Sequence, residues 1–290
     1  MGKRFYIVDV FAEQQYSGNQ LAVFRNAAGL TSEEMQAIAR EMHFSETTFV
    51  LSDAPRDGGY DVRIFTPEAE LPFAGHPTLG TASVVQQEII GQPVDQVVLN
   101  LGVGPIPVTF DSEGILWMKQ IEPEFGPVLE ADQLAPVLNL SIDDFDSRFP
   151  IQQVSTGLPH IIAPLTGLDA LKKTSVNKDL YFRLIENTWA KPIMVFCPGG
   201  YNDQQDLGVR MFADCFGIQE DPATGSGNGC LAGYLVKHRY LGTDDMDIRT
   251  GQGYEINRPS TLYLRAAAKG DGIEVCVGGK VVKVAEGEFA

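Results

Sequence analysis

Apolar and polar residues alternate over short stretches along the chain, and glycine, proline or asparagine close most of them. This pattern predicts strands at 5–10, 21–24, 46–51 and 61–65. Between the second and third, Thr31 is followed three residues on by Glu34, a capping box that opens a helix. Met35, Ile38, Ala39 and Met42 then recur at helical spacing. A glycine-marked turn after Pro72 leads into a helix expected over 77–87, since proline suits a first helical turn. Residues 97–101, 106–110 and 115–119 read as a meander of strands, followed by helices at 132–138 and 142–145.

The order then restarts. Strands are expected at 151–155 and 161–164, a helix at 179–188, and strands at 193–197 and 209–212. A glycine-rich turn and a helix over 228–239 follow, then strands near 247–250, 261–266, 272–277 and 280–284. Arg63-Ile64-Phe65 and Arg210-Met211-Phe212 lie 147 positions apart, about half of the 290 residues. The pattern predicts an internal duplication: two α+β halves, 1–145 and 146–290, each a curled sheet wrapped on a central helix.

Composition narrows the function. A hydrophobic share of 44% suffices for a sizeable core. The net charge of −16 and pI near 4.6 argue against nucleic acid and against an anionic membrane surface. An anionic small molecule stays within reach of local donors. No apolar run reaches membrane-spanning length, and Met1-Gly2 alone is too little for lipidation. Cys197, Cys215, Cys230 and Cys276 all fall in the second half with no CxxC pair, which reads as free thiols in the cytoplasm.

Two segments share one design, a small-residue turn feeding a helix N-terminus. They are Ala74-Gly75-His76-Pro77 and Ala223-Thr224-Gly225-Ser226-Gly227. Unsatisfied N–H groups at the positive end of a helix dipole suit a carboxylate. Glu46 opens a strand of apolar and hydroxyl residues and has no acidic counterpart in the second half, which marks it for proton transfer. His76 and Asp221 are further candidates. Gly-Ser-Gly around Ser226 is not a nucleophile elbow, because Thr224 and Asn228 stand where glycines are required. No histidine or carboxylate spacing suggests a metal.

Together these segments resemble the PhzF-like phenazine-biosynthesis family, relatives of diaminopimelate epimerase. The marks are Val8-Asp9-Val10-Phe11, Gly18-Asn19, Ser45-Glu46-Thr47, Phe65-Thr66-Pro67, Gly75-His76-Pro77-Thr78, Glu220 to Gly227, Gln252-Gly253 and Arg258-Pro259-Ser260. The resemblance implies two pseudo-symmetric halves, each a β-barrel-like sheet around a central helix, with the site in a cleft between them. It also implies a homodimer, no cofactor and no metal. By resemblance, Glu46, His76 and Asp221 are catalytic, and Asn19, Gly75, Gly225, Ser226 and Gly227 surround the substrate. The implied reaction is an isomerisation in which Glu46 moves a proton between carbons of a small carboxylated metabolite, as with trans-2,3-dihydro-3-hydroxyanthranilate. The alternative is a metabolite-binding or interaction protein without turnover. One departure is Asn257, where many relatives carry glycine. Thiol-dependent epimerases of the wider superfamily need a cysteine from each half, and the first half has none.

Overall fold

The computed structural model describes residues 3–289; Met1 and Gly2, considered above for lipidation, lie outside them. The chain forms two compact units. One holds the described residues up to Met118 and those from Gly278 onward; the other is Lys119–Val277.

The first unit begins with β1 (Lys3–Val10), β2 (Asn19–Phe24), α1 (Ser32–Met42), β3 (Glu46–Val50), β4 (Tyr60–Phe65) and β5 (Glu70–Leu71). Then come α2 (Gly75–Val84), a π-helical turn (Val85–Ile90), β6 (Gln96–Leu101), β7 (Gly104–Phe110) and β8 (Leu116–Lys119). The second unit holds β9 (Glu124–Leu129), α3 (Ala131–Leu134), a 3-10 turn (Ile142–Asp144), β10 (Ile151–Ser155) and β11 (Pro159–Pro164). It continues with α4 (Leu168–Lys173), α5 (Lys178–Glu186), β12 (Ile193–Pro198), β13 (Leu207–Phe212), α6 (Gly225–Lys237), β14 (Asp245–Gln252) and β15 (Ser260–Lys269). β16 (Gly272–Gly279) leads back to the first unit, where β17 (Val281–Phe289) ends the described chain.

The two units repeat one connectivity. In the first, β17, β1 and β2 pair antiparallel, β2–β3 is parallel, β3–β4 antiparallel, β4–β6 parallel and β6–β7 antiparallel. In the second, β9, β10 and β11 pair antiparallel, β11–β12 is parallel, β12–β13 antiparallel, β13–β14 parallel and β14–β15 antiparallel. Each first parallel pair needs a crossover, which α1 supplies in one unit and α4 with α5 in the other.

Local chemistry explains the crossovers. Thr31 and Glu34 close the capping box of α1, and Met35 and Ala39 bury against Ala22, Phe24, Phe49 and Phe65. In the second unit Leu171, Tyr181 and Ile185 pack with Ala163 and Val195. On the other side of the first sheet lies α2, buried from His76 to Val84 and touching β1, β2, β3, β6 and β7. Its buried hydroxyls find partners, Thr78 Oγ1 at the Ala74 carbonyl and Thr81 Oγ1 at Thr48, which lets the helix sit in the core. Gly80 makes the fit possible: a Cβ there would stand 2.6 Å from Leu21 Cδ2 and 2.8 Å from Val10 Cγ2. Helix α6, buried from Gly227 to Val236, packs likewise on β10, β11 and β15.

Several expectations shift. The units divide at Met118/Lys119 and Val277/Gly278 instead of near 145, because β9 pairs with β10 and β17 pairs with β1. Strand β9 adds to the predicted elements; Gly126 and Pro127, residue types that ordinarily weaken a strand, sit where the β9–β10 register shifts. The helix expected over 132–138 is the short α3, and that over 142–145 is a single 3-10 turn. Helix α4 also adds to the predicted elements, and α6 begins at Gly225 rather than at 228, so the glycine-rich turn is already helix.

Candidate functional site

In the first unit, side chains alternate across β3, so Glu46 and Thr48 share a face. Thr48 Oγ1 lies 2.8 Å from Thr81 Oγ1 of α2, which fixes that face toward the central helix. One step nearer the helix N-terminus, Glu46 Oε2 lies 3.4 Å from His76 Nε2, with the two side chains 14% and 7% exposed. The strand register sharpens the asymmetry. Thr47 pairs with Phe65 as Ile193 pairs with Phe212, so the residue matching Glu46 in the second unit is Pro192.

His76 bonds to the backbone of Gln20, and burial, opposed by that bond, pushes its pKa down to about 3. Nε2 has no aligned hydrogen bond, so Nδ1 makes the Gln20 contact. A contact that raises the imidazole pKa is donation to a carbonyl. The neutral ring therefore carries its proton on Nδ1 and turns the Nε2 lone pair toward Glu46. With the imidazole neutral, the two residues do not form a charged ion pair.

Helix α2 starts after extended Ala74 with no side-chain cap. Gly75 and His76 offer N–H groups at its first turn, and Pro77 has none. Asn19, 2% exposed, opens β2 opposite Val10.

In the second unit, Asp221 is 6% exposed and its N–H donates to the Met211 carbonyl of β13 at 3.0 Å. Thr224, the residue before α6, donates its hydroxyl to Asp221 Oδ2 at 2.5 Å instead of capping the helix. The N–H groups of Gly225, Ser226 and Gly227 form the uncapped first turn. Gly227 packs closely on Met194: a Cβ would stand 2.4 Å from Met194 Cε, so the methionine would have to shift. Ser226 is half-buried. Asn257 adopts φ 57°, a left-handed conformation that glycine takes without strain and asparagine tolerates best among the others.

Cys230 is buried, its thiol pushed up to about 11 by burial and donating to the Leu158 carbonyl at 3.5 Å. It is a packed thiol. His160 beside it is held low, at about 4, by burial. No group of three histidine, cysteine or acidic side chains among the described residues could hold a metal. Glu46 and His76 thus come together in one unit, and Asp221 with Gly225, Ser226 and Gly227 in the other. The residues that sequence reasoning missed are supports: the Gln20 carbonyl under His76, and Gln252, Asn228 and Thr250 under the α6 turn. Gln252-Gly253 was visible as a motif, but its contact with a turn 28 residues away was not.

Several known proteins are similar to this chain. A family model described as phenazine biosynthesis-like protein matches residues 8–287. The trans-2,3-dihydro-3-hydroxyanthranilate isomerase of Pseudomonas aeruginosa is 35% identical, with 98% of each chain covered. An uncharacterised isomerase of Clostridium acetobutylicum is 33% identical over 98% of this chain and 97% of its own. The crystal structure of a PhzF-family protein from Bacillus anthracis superposes with a TM-score of 0.90 at 26% identity, covering 100% of this chain and 99% of that one. The chain belongs to the PhzF family of phenazine biosynthesis-like proteins.

Proposed function

We propose that this isomerase shifts a proton between two carbons of a small, carboxylated, cyclic metabolite, with Glu46 as the acid–base group and no cofactor. The observation that carries the reading is the Glu46–His76 contact, an acidic side chain 3.4 Å from the Nε2 of a neutral imidazole. As carboxylate, Glu46 accepts the proton from a carbon next to an activating group. The resulting carboxyl donates a hydrogen bond to His76 Nε2, which steadies the protonated state until the proton is redelivered to another carbon. General acid–base catalysis of this kind contributes about 10²–10⁴-fold.

The uncapped first turns of α2 and α6 supply N–H donors for a carboxylate and for developing negative charge, and Asp221 serves a polar group of the substrate. Asn19, Gly75, Gly225, Ser226 and Gly227 complete the binding role. The trans-2,3-dihydro-3-hydroxyanthranilate named for the Pseudomonas aeruginosa relative is the first candidate substrate. A homodimer and a cytoplasmic location belong to the same proposal. Four free cysteines agree with the location, and no helix among the described residues is long and apolar enough to cross a membrane.

A thermal-shift screen of small cyclic carboxylates, followed by proton NMR of each hit, tests the reading. Positional isomerisation of a hit is the expected outcome. Tight binding with no change in any carbon-bound proton would instead make the chain a binding protein.

A further inference from the structure

Behind Asp221 runs a chain of buried hydrogen bonds in which every donor points the same way. The Thr250 hydroxyl donates to Asn228 Oδ1 at 2.8 Å. Asn228 Nδ2 donates to Gln252 Oε1 at 2.9 Å. Gln252 Nε2 donates to Thr224 Oγ1 at 3.0 Å, and Thr224 donates to Asp221 Oδ2 at 2.5 Å. Thr250, Asn228 and Gln252 are all 0% exposed, and Thr224 is 8% exposed.

The direction is forced, not chosen. Gln252 uses its whole amide: Nε2 also donates to the Asp221 carbonyl at 2.8 Å, and Oε1 also accepts the Thr224 N–H at 3.3 Å. Flipping that amide would set its NH₂ against two donors, the Thr224 N–H and Asn228 Nδ2. Asn228 is fixed the same way, since its Nδ2 also donates to the Thr224 carbonyl at 3.1 Å. With Gln252 donating to its oxygen, Thr224 has one proton, and that proton goes to Asp221. Hydrogen bonds aligned head to tail polarise one another, so the last donor is the strongest.

We propose that Thr224, Gln252, Asn228 and Thr250 form a one-way relay of positioning residues that presents the Asp221 carboxylate in a single orientation. The same amide of Gln252 ties the backbone at both ends of the Asp221–Thr224 turn, so carboxylate and α6 N-terminus are set as one piece. This rests on the reading of Asp221 as a residue of the reaction.

Full-length Thr224→Val, Thr224→Ser and Gln252→Glu variants test it. Valine keeps the volume and removes the hydroxyl; serine keeps the donor; the glutamate at 252 replaces a donor to Thr224 with an oxygen that turns the Thr224 proton away. Crystal structures of Thr224→Val and Gln252→Glu should show the Asp221 carboxylate rotated from its native position, with Thr224→Ser native. With trans-2,3-dihydro-3-hydroxyanthranilate as probe, kcat should fall about 10–100-fold in the first two, as expected for a misplaced group. KM should stay within about twofold, with serine restoring kcat. An unmoved Asp221 in Thr224→Val, or serine behaving like valine, overturns the relay. The Asp221 position needs no turnover, so it decides the relay separately from the catalytic reading, which a fully active Glu46→Gln variant would overturn alone.

Discussion

At the scale of single residues, charge state decides what each buried group can do. His76 is neutral because burial outweighs its bond to Gln20, and its tautomer follows from that bond. His76→Ala should therefore lower kcat on the probe substrate by about 10-fold or more, by removing the acceptor that steadies protonated Glu46. Unchanged kcat in steady-state assays would contradict that role. Arg210 is a structural charge: it is bidentate to Glu220 and donates to the carbonyls of Leu171, Lys172 and Thr174. Arg210→Ala leaves Glu220, 7% exposed, without its guanidinium, and should cost about 3–5 kcal/mol in urea unfolding. Glu46 was legible in the sequence as a carboxylate with no partner in the repeat, and the strand register now gives the matching residue as Pro192. The state of His76 was not legible, because burial in the folded unit sets its charge and a backbone carbonyl 56 positions away sets its tautomer.

At the scale of elements, close approach governs what the helices tolerate. An interior glycine is ordinarily about 1 kcal/mol worse than alanine in a helix. At Gly80 the sign reverses, because a Cβ would stand 2.6 Å from Leu21 and 2.8 Å from Val10. Gly80→Ala should destabilise by about 1–3 kcal/mol, read as a lower urea midpoint; a raised midpoint would show that β1 and β2 yield. Thr31→Ala, by contrast, loses only the cap of α1 and should cost about 1 kcal/mol. Local signals made most elements readable: the Thr31–Glu34 box, the alternation of β4, the proline in the first turn of α2. They failed where tertiary pairing overrode them. Pro127 sits in β9 because a register shift absorbs it, and α6 starts at Gly225, with Gly227 packed on Met194, although its glycines read as a loop.

At the scale of the whole molecule, both units place an arginine over a phenylalanine two residues on and bind it to a glutamate: Arg63 with Phe65 and Glu70, Arg210 with Phe212 and Glu220. The shared connectivity and this shared device support the proposed duplication. Stability should depend on pH through the buried histidines. His76 and His160 are held down to about 3 and about 4, whereas unfolded imidazole titrates near 6.5. Between those values the unfolded chain binds more protons, so their contribution is complete above about pH 6.5 and is lost as pH falls. Each costs about 1.4 kcal/mol per pH unit well inside its window. Urea midpoints from pH 8 to 4.5 should fall, and His160→Gln should flatten the slope; a pH-independent midpoint would contradict neutral burial. The most direct test of the central claim follows single turnover by proton NMR, with wild type and Glu46→Gln saturated with trans-2,3-dihydro-3-hydroxyanthranilate and calorimetry confirming that both bind. The account predicts isomer from wild type and none from Glu46→Gln on the same timescale. Isomer from Glu46→Gln at the wild-type rate would contradict it.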